Sequence, residues 1–296
     1  MSNQISYPIP YPEVNAVLKE LLPDVQAILG NQFTGMYLYG SLAYGGFDQD
    51  SDVDFVVVTN DNLPDALFAA LQEMHMHIGT LDSWCATQLE GSYIPRHALQ
   101  TYDPVRVLHL HIDRGRDGHL QRMKIEDARL SRAWWGGWVF LRAVLWENGI
   151  TLAGPDPRTL IESVPPDELK QAALATLEGW LEPLLEELGE LANPGYQSYC
   201  VLTLCRLLFT FERGAIASKQ VAARWAQERL EQCWRALIDR AWIGRHRPGE
   251  RGSPQEIQET RDFIRYILER CTWARFVARP LESAVPLITG STEEKK

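Results

Sequence analysis

Asp52 and Asp54 stand two residues apart at the head of an apolar run, "DVDFVVVT", and two more carboxylates, Asp48 and Asp50, come just before them. Side chains alternate along a strand, so positions i and i+2 project from one face, roughly 6–7 Å apart at Cα. Two carboxylates at that spacing can share or bridge Mg²⁺, with phosphate and water completing an octahedron. A divalent cation would also relieve the repulsion of carboxylates set beside a core. Asp48 and Asp50 lie in "GGFDQDS", a turn-forming context with Ser51 between the two pairs, and are expected in solvent as loop residues.

The preceding stretch fits phosphate chemistry. Gly40 and Ser41 close an aromatic, strand-like segment, and "LAYGG" follows as a helical turn. Glycine there lets backbone approach a phosphate, and the Ser41 hydroxyl with the first amides of the turn can donate to phosphate oxygens. No GK[ST] follows and there is no GxGxxG, so neither a Walker loop nor a dinucleotide fingerprint is present. The chemistry suggested is metal-assisted transfer of a phosphorus-containing group.

These residues need elements to position them. Helical periodicity covers 12–30, with Pro23 as a potential kink, and 63–79. Strands are expected over 33–40, 53–59, 82–94 and 105–112, with 53–59 buried on both faces. From Ile125 the pattern is almost wholly helical: 125–149, 167–192, 196–213, 218–244 and 254–278. A Pro-rich break over 151–169 separates two expected domains, 1–164 and 165–296. The expected class is α+β, an N-terminal domain with a central mixed sheet followed by an all-helical C-terminal domain.

Composition narrows the partners. Hydrophobic content of 45% and charged content of 23% over 296 residues fit a globular protein of two ordinary domains. A net charge of −10 argues against duplex nucleic acid and is compatible with a cationic substrate. No apolar run can span a bilayer, the N-terminus does not read as a secretory leader, and five cysteines without CxxC suit a reduced, cytoplasmic chain acting as a monomer.

"GSLAYGGFDQDSDVDFVVV" resembles the signature of polymerase-β-type nucleotidyltransferases: Gly-Ser, a short spacer, then Asp-x-Asp. The resemblance implies nucleotide transfer from an NTP to an acceptor with Mg²⁺ on Asp52, Asp54 and a third carboxylate from a later strand. Glu90 in "LEGSYIP" is the candidate, as ligand and general base, with Asp82 as the alternative.

A second resemblance covers most of the chain. "NGITLAGPDPRTLIESVPPDEL" and "VLTLCRLLFTFERGAIASKQVAARWAQERL" are similar to the streptomycin/spectinomycin adenylyltransferases, a branch of the aminoglycoside nucleotidyltransferases. It implies ATP as co-substrate and a small hydroxylated acceptor bound between the domains. Ser41 and Ser51 would meet ATP phosphates, and Arg206 and Lys219 would reach the nucleotide from the helical domain. The family's drug-binding aspartate falls at Tyr196, and Trp180 matches a tryptophan of its drug site. "LEGSYIPRHALQTYDPVRVLHLHI" lacks the family's aromatic drug contact. Glu186, Glu187 and Glu190 could replace the missing charge, or form a solvated helix face. Two alternatives therefore stand: the same chemistry on another sugar, a cyclitol or a protein side chain, and a non-catalytic nucleotide-binding regulatory or antitoxin module.

Other clusters have plainer readings. Trp134, Trp135, Trp138 and Trp146 on one helix are expected to pack a core. The pairs His75/His77 and His109/His111 lack a third ligand and are expected to be satisfied or at the surface.

Overall fold

The computed structural model describes residues 9–100, 108–112, 119–124, 137–186, 190–245 and 251–278. Helix α1 (Pro12–Leu29) buries Val14, Val17, Leu18, Leu21, Leu22, Val25 and Leu29, one face at a 3.6-residue period. Pro23 lies inside it without ending it, and its ring is exposed. Gly30 closes the helix at φ 51°, where its N–H reaches the carbonyl of Gln26.

The chain then runs β1 (Phe33–Leu38), the single turn α2 (Gly40–Ala43), β2 (Val53–Thr59), α3 (Asp65–Ile78), β3 (Leu89–Pro95), α4 (Arg96–Gln100), β4 (Leu108–Ile112), β5 (Leu120–Lys124), α5 (Gly137–Asn148) and β6 (Ile150–Ala153). The six strands form one mixed sheet in the order β5-β4-β3-β2-β1-β6. β2 and β3 are parallel, joined through α3, and the other neighbours are antiparallel.

Both faces of the sheet are covered. Val53, Phe55 and Val57 join Met36 and Leu38 in a core shared with α1 and α3. The alternate residues Val56 and Val58 pack with Tyr37, Ile94 and, from α5, Trp138, Leu141 and Leu145. β2 is thus buried on both sides, as its unbroken apolar run requires.

The remainder is helical: α6 (Pro166–Glu186), α7 (Pro194–Arg213), α8 (Lys219–Arg229), α9 (Arg235–Gly244) and α10 (Pro254–Ala278). Their core is centred on α7, and Phe140, Ala143 and Val144 of α5 join it. Since other α5 residues pack on the sheet, α5 ties the two halves together.

The α+β class and the order, sheet first and helices second, agree with expectation. Four details differ. The segment 82–94 begins as a 3-10 turn, Trp84–Gln88, before β3. β5 and β6 were not expected; β6 takes the first residues of the Pro-rich break. The single helix expected over 218–244 is two, divided around Leu230, where the backbone becomes extended. The expected helices over 125–149 and 167–192 are described as α5 and α6, and residues 125–136 and 187–189 lie outside the described set.

Candidate active site

The parallel pairing of β2 with β3 sets Asp54 in register with Glu90. Register partners on neighbouring strands share a face, so the two carboxylates stand side by side. Asp52, two residues before Asp54, is set toward the same side. This face carries Val56 and Val58 farther along, so the acidic group sits at the strand end of the surface that α5 covers. Asp82 is exposed in the turn before β3 and is not part of this arrangement.

α2 closes the site from above. Gly40 adopts φ 63°, and a Cβ there would lie 1.8 Å from Asp54 Oδ2. Only glycine lets the backbone pass this close to the carboxylate. The Ser41 amide donates to Asp54, whereas the Ser41 Oγ is buried with no hydrogen-bond partner among the described residues. An orphaned buried hydroxyl beside a carboxylate group is a donor awaiting an oxygen acceptor.

Charge explains the rest. Burial, and then Asp52, hold the Asp54 carboxyl well above the usual carboxylate range, against opposing pulls from Lys219, Arg206 and the Ser41 amide. The Tyr39 phenol is pushed up by burial and then by Asp54, Glu90 and Asp52, so it lies within the field of all three. Both cations come from the helical part. Arg206, on α7, donates from Nε to the carbonyl of Ala217 at 3.2 Å, and burial lowers it to about 10. Lys219 is the first residue of α8, behind the N-cap Ser218. Burial and Arg206 lower its pKa, while Asp52 and Asp54 raise it. Lys219 keeps part of its surface exposed, while protein charges crowd its ammonium. A cation at a helix N-terminus opposes the helix dipole. Its placement is explained by what it faces.

The loop between α2 and β2 corrects one expectation. Asp48 and Asp50 are half-buried. Asp48 Oδ1 accepts from the Ser51 hydroxyl at 2.9 Å and from the Asp50 amide at 3.2 Å, and Asp48 Oδ2 accepts from Arg245, just beyond α9. Arg245 pairs with Asp48, while Lys219 and Arg206 offset only part of the burial and repulsion at Asp54. The Ser51 hydroxyl is turned onto Asp48. Arg245 escaped the sequence reading because nothing local distinguishes it in "AWIGRHRPGE". Tyr39 and Tyr44 escaped it too. Tyr44 packs against the helical core, and burial pushes its phenol up to about 12, with Arg206 pulling the other way.

Tyr196 lies in the first turn of α7, and its ring stacks on Tyr199 at 5.9 Å. The Tyr199 phenol, raised chiefly by burial, also feels Glu90 and Arg206, so this pair borders the acidic group. Trp180 lies on α6, and Glu187 lies outside the described residues.

The remaining aromatic and histidine groups are structural. Trp138 is buried and donates to the carbonyl of Ala98 at 2.8 Å; Trp134 and Trp135 lie outside the described residues. His75 is buried against the Tyr93 hydroxyl at 2.7 Å, His77 is exposed, and His111 meets the Ser92 hydroxyl at 3.0 Å. Among the described residues no group of three or more His, Cys, Asp or Glu is arranged to hold a metal by itself. A cation at Asp52 and Asp54 would need further ligands, and a nucleotide's phosphates are of the right chemistry. No helix among the described residues is long and apolar enough to cross a membrane.

Strands β1 to β3, the Gly-Ser turn and the register-matched carboxylates lie in the part of the chain that matches a nucleotidyltransferase domain. Residues 18–101 match the family model described as a nucleotidyltransferase domain, and residues 159–270 match the model of the aminoglycoside adenylyltransferase C-terminal domain. The chain is 30% identical over 251 residues to a spectinomycin 9-adenylyltransferase of Staphylococcus aureus, covering 82% of this chain and 88% of that one. An aminoglycoside (3'')(9) adenylyltransferase of Escherichia coli is 27% identical over 271 residues, covering 86% and 94%. A solved spectinomycin adenyltransferase from Enterococcus faecialis, crystallised with ATP and spectinomycin, shares the fold at TM-score 0.66 and 18% identity, over 87% of this chain and 99% of that chain. The protein is an enzyme of the adenylyltransferase kind, and it belongs to the aminoglycoside adenylyltransferase family.

Proposed function

We propose that the protein transfers AMP from ATP to a hydroxyl of an aminoglycoside or a related small, cationic molecule, with Mg²⁺. The observation that carries this reading is the register of Asp54 with Glu90, facing Arg206 and Lys219 from the other domain. The buried, unpartnered Ser41 hydroxyl and the glycine cradle around Asp54 suit a phosphate and its cation. Asp52 and Asp54 would hold Mg²⁺ only together with phosphate oxygens of the nucleotide, because they form no three-carboxylate metal group with Glu90, and the ion when bound would offset charge on the triphosphate.

The residues divide the work. Gly40 and Ser41 receive phosphate oxygens, while Ser51, expected beside them, has its hydroxyl engaged by Asp48 and serves the loop that leads to Asp52. Arg206 and Lys219 hold the triphosphate and stabilise the departing pyrophosphate. Glu90 takes the proton of the attacking hydroxyl as its oxygen bonds to the α-phosphorus and the bond to pyrophosphate breaks. Trp180 and Tyr196 border the acceptor. This reading divides the domains at 164/165, between β6 and α6, and a reaction that draws on ATP suits the cytoplasm.

A second acceptor class is favoured by Tyr196, which supplies a ring where a carboxylate would hold a cation. The test is Mg-ATP with spectinomycin, streptomycin and neutral cyclitols, reading pyrophosphate and the mass of the acceptor. One acceptor should gain a single AMP, and Glu90→Gln should bind ATP without turnover. Failure of every acceptor to gain AMP overturns the reading.

A further inference from the structure

Arg245 and Asp48 are separated by 197 positions, yet they form an ion pair that joins the helical domain to the loop preceding Asp52. Each partner is anchored on its own side. The Arg245 guanidinium lies over the Trp242 ring, 4.3 Å from its centroid. Gly244, immediately before it, approaches α7 so closely that a Cβ would come within 2.6 Å of Ser198 Oγ. On the other side, Asp48 is the hub of a four-residue knot. Its N–H donates to Ser51 Oγ at 3.1 Å, its Oδ1 accepts from the Ser51 hydroxyl and the Asp50 amide, and its carbonyl accepts the Ser51 amide at 3.0 Å. Phe47, one residue earlier, is held between Tyr11 at 4.8 Å and Trp84 at 6.1 Å. The knot ends on Ser51, and the next residue is Asp52.

We propose that Arg245 is a positioning residue, whose clasp on Asp48 fixes the Asp48–Ser51 turn and so sets the direction of Asp52, while holding the helical domain over the acidic strands. The proposal rests on the nucleotidyltransferase reading of that site. The physical argument is one of connectivity. Asp48 has one oxygen turned inward to its own loop and the other turned outward to Arg245, so the loop's shape and the domain approach are set by one carboxylate. Two carboxylate oxygens serving separate partners couple those partners. The Arg245 Nε is buried with no hydrogen-bond partner among the described residues, so the guanidinium is held by the carboxylate and the indole ring. The pair is only partly exposed, at 21% and 30%, and is shielded more than an open surface pair is. It also stands near Lys219, whose ammonium it repels. Pairing with Asp48 offsets that repulsion and keeps three cations close together in the absence of a triphosphate.

The test uses the full chain. Amide hydrogen exchange at Asp50 and Ser51 reads the turn, and calorimetric titration with Mg-ATP reads the nucleotide site. Arg245→Ala and Asp48→Asn should each speed exchange at these amides about tenfold and weaken Mg-ATP about tenfold, with KM for ATP rising more than kcat falls. The double variant should be no worse than either single one, because both break the same link. Arg245→Lys, which keeps charge but cannot stack and bridge as a planar fork, should fall between. Arg240→Ala, which breaks ion pairs to Glu256 and Glu259 inside the helical domain, is the control and should leave the turn's exchange unchanged. Unchanged exchange in Arg245→Ala overturns the proposal. So does loss of ATP affinity in Arg245→Ala but not in Asp48→Asn, which would make Arg245 a direct nucleotide contact. If the wild-type chain fails to bind Mg-ATP, the reading of the site fails, while the exchange comparison still decides the clasp.

Discussion

Asp54 on β2 and Glu90 on β3 are register partners in the only parallel pair among the described strands, so both carboxylates leave the sheet on one face. Neighbouring strands lie about 4.8 Å apart. At that spacing, two carboxylates repel unless protons or cations intervene. Burial and then Asp52 raise the Asp54 pKa, and Lys219 and Arg206 supply part of the compensation.

Asp54→Asn separates function from stability. The amide keeps the shape but loses the charge that a nucleotide-bound cation meets. Turnover should fall about a thousandfold or more, roughly 4 kcal/mol of transition-state stabilisation. The ligand-free protein should melt no lower than wild type, because burial and Asp52 both disfavour the charge that is removed. Pyrophosphate release and scanning calorimetry check the two halves. Near-normal turnover would remove Asp54 from the chemistry.

Gly40→Ala tests the cradle. The φ of 63° alone costs a non-glycine residue about 1 kcal/mol, and the new Cβ would overlap Asp54 Oδ2. Either the Asp54 carboxylate rotates or the turn moves, and both part the Ser41 amide from the carboxylate. The expected result is a stability loss of about 1–3 kcal/mol in denaturant unfolding with activity largely lost. Gly45→Ala is the comparison. It also has positive φ, at 71°, but meets no atom within 4 Å, so it should lose stability and keep most activity.

What could be read from the sequence follows from how local the causes are. The β2 run is apolar from Phe55 to Val58, which is the mark of a strand covered on both faces, and α1 and α10 have long helical periods. The Gly40, Ser41, Asp52 and Asp54 set was legible because all four lie within one turn and one strand. β5 and β6 were not, because four or five residues carry little periodicity and their pairing depends on distant strands. The division of α8 from α9 was hidden because apolar spacing continues through the break at Leu230. Asp48 was misplaced in solvent because its partner, Arg245, is 197 positions away.

The buried His75 predicts acid sensitivity. Burial lowers its pKa from 6.5 to about 3, so the folded chain keeps it neutral where the unfolded chain protonates it. Between those values the unfolded state binds more protons, so stability rises with pH. It is complete above 6.5 and is lost as pH falls through that value toward 3. At pH 4.5 the contribution lost should be about 2–3 kcal/mol. His75→Leu removes the titrating group but strands the Tyr93 hydroxyl, costing about 1–3 kcal/mol at pH 7. Denaturant unfolding at pH 7 and 4.5 should show a smaller drop for the variant than for the wild type. An equal drop would assign the acid sensitivity elsewhere, with His109, lowered by burial to about 3, the next group to replace.

Tyr196→Asp asks what the acceptor side recognises. Tyr196 is the third residue of α7, where its amide is capped by the Asn193 side chain at 3.2 Å. An aspartate suits a helix N-terminus and gains about 0.3–1 kcal/mol there, against about 0.5–1.5 kcal/mol for the lost stack on Tyr199. The fold should therefore survive. The new carboxylate would add negative charge beside the Glu90 field in which Tyr199 already lies. A dicationic acceptor should bind about tenfold tighter, with KM for ATP unchanged, because Arg206 and Lys219 are untouched. A neutral cyclitol should be used no better, or worse. Parallel KM measurements for streptomycin and for an uncharged cyclitol decide it. If both respond alike, Tyr196 acts on the shape of α7 and not on the charge of the acceptor.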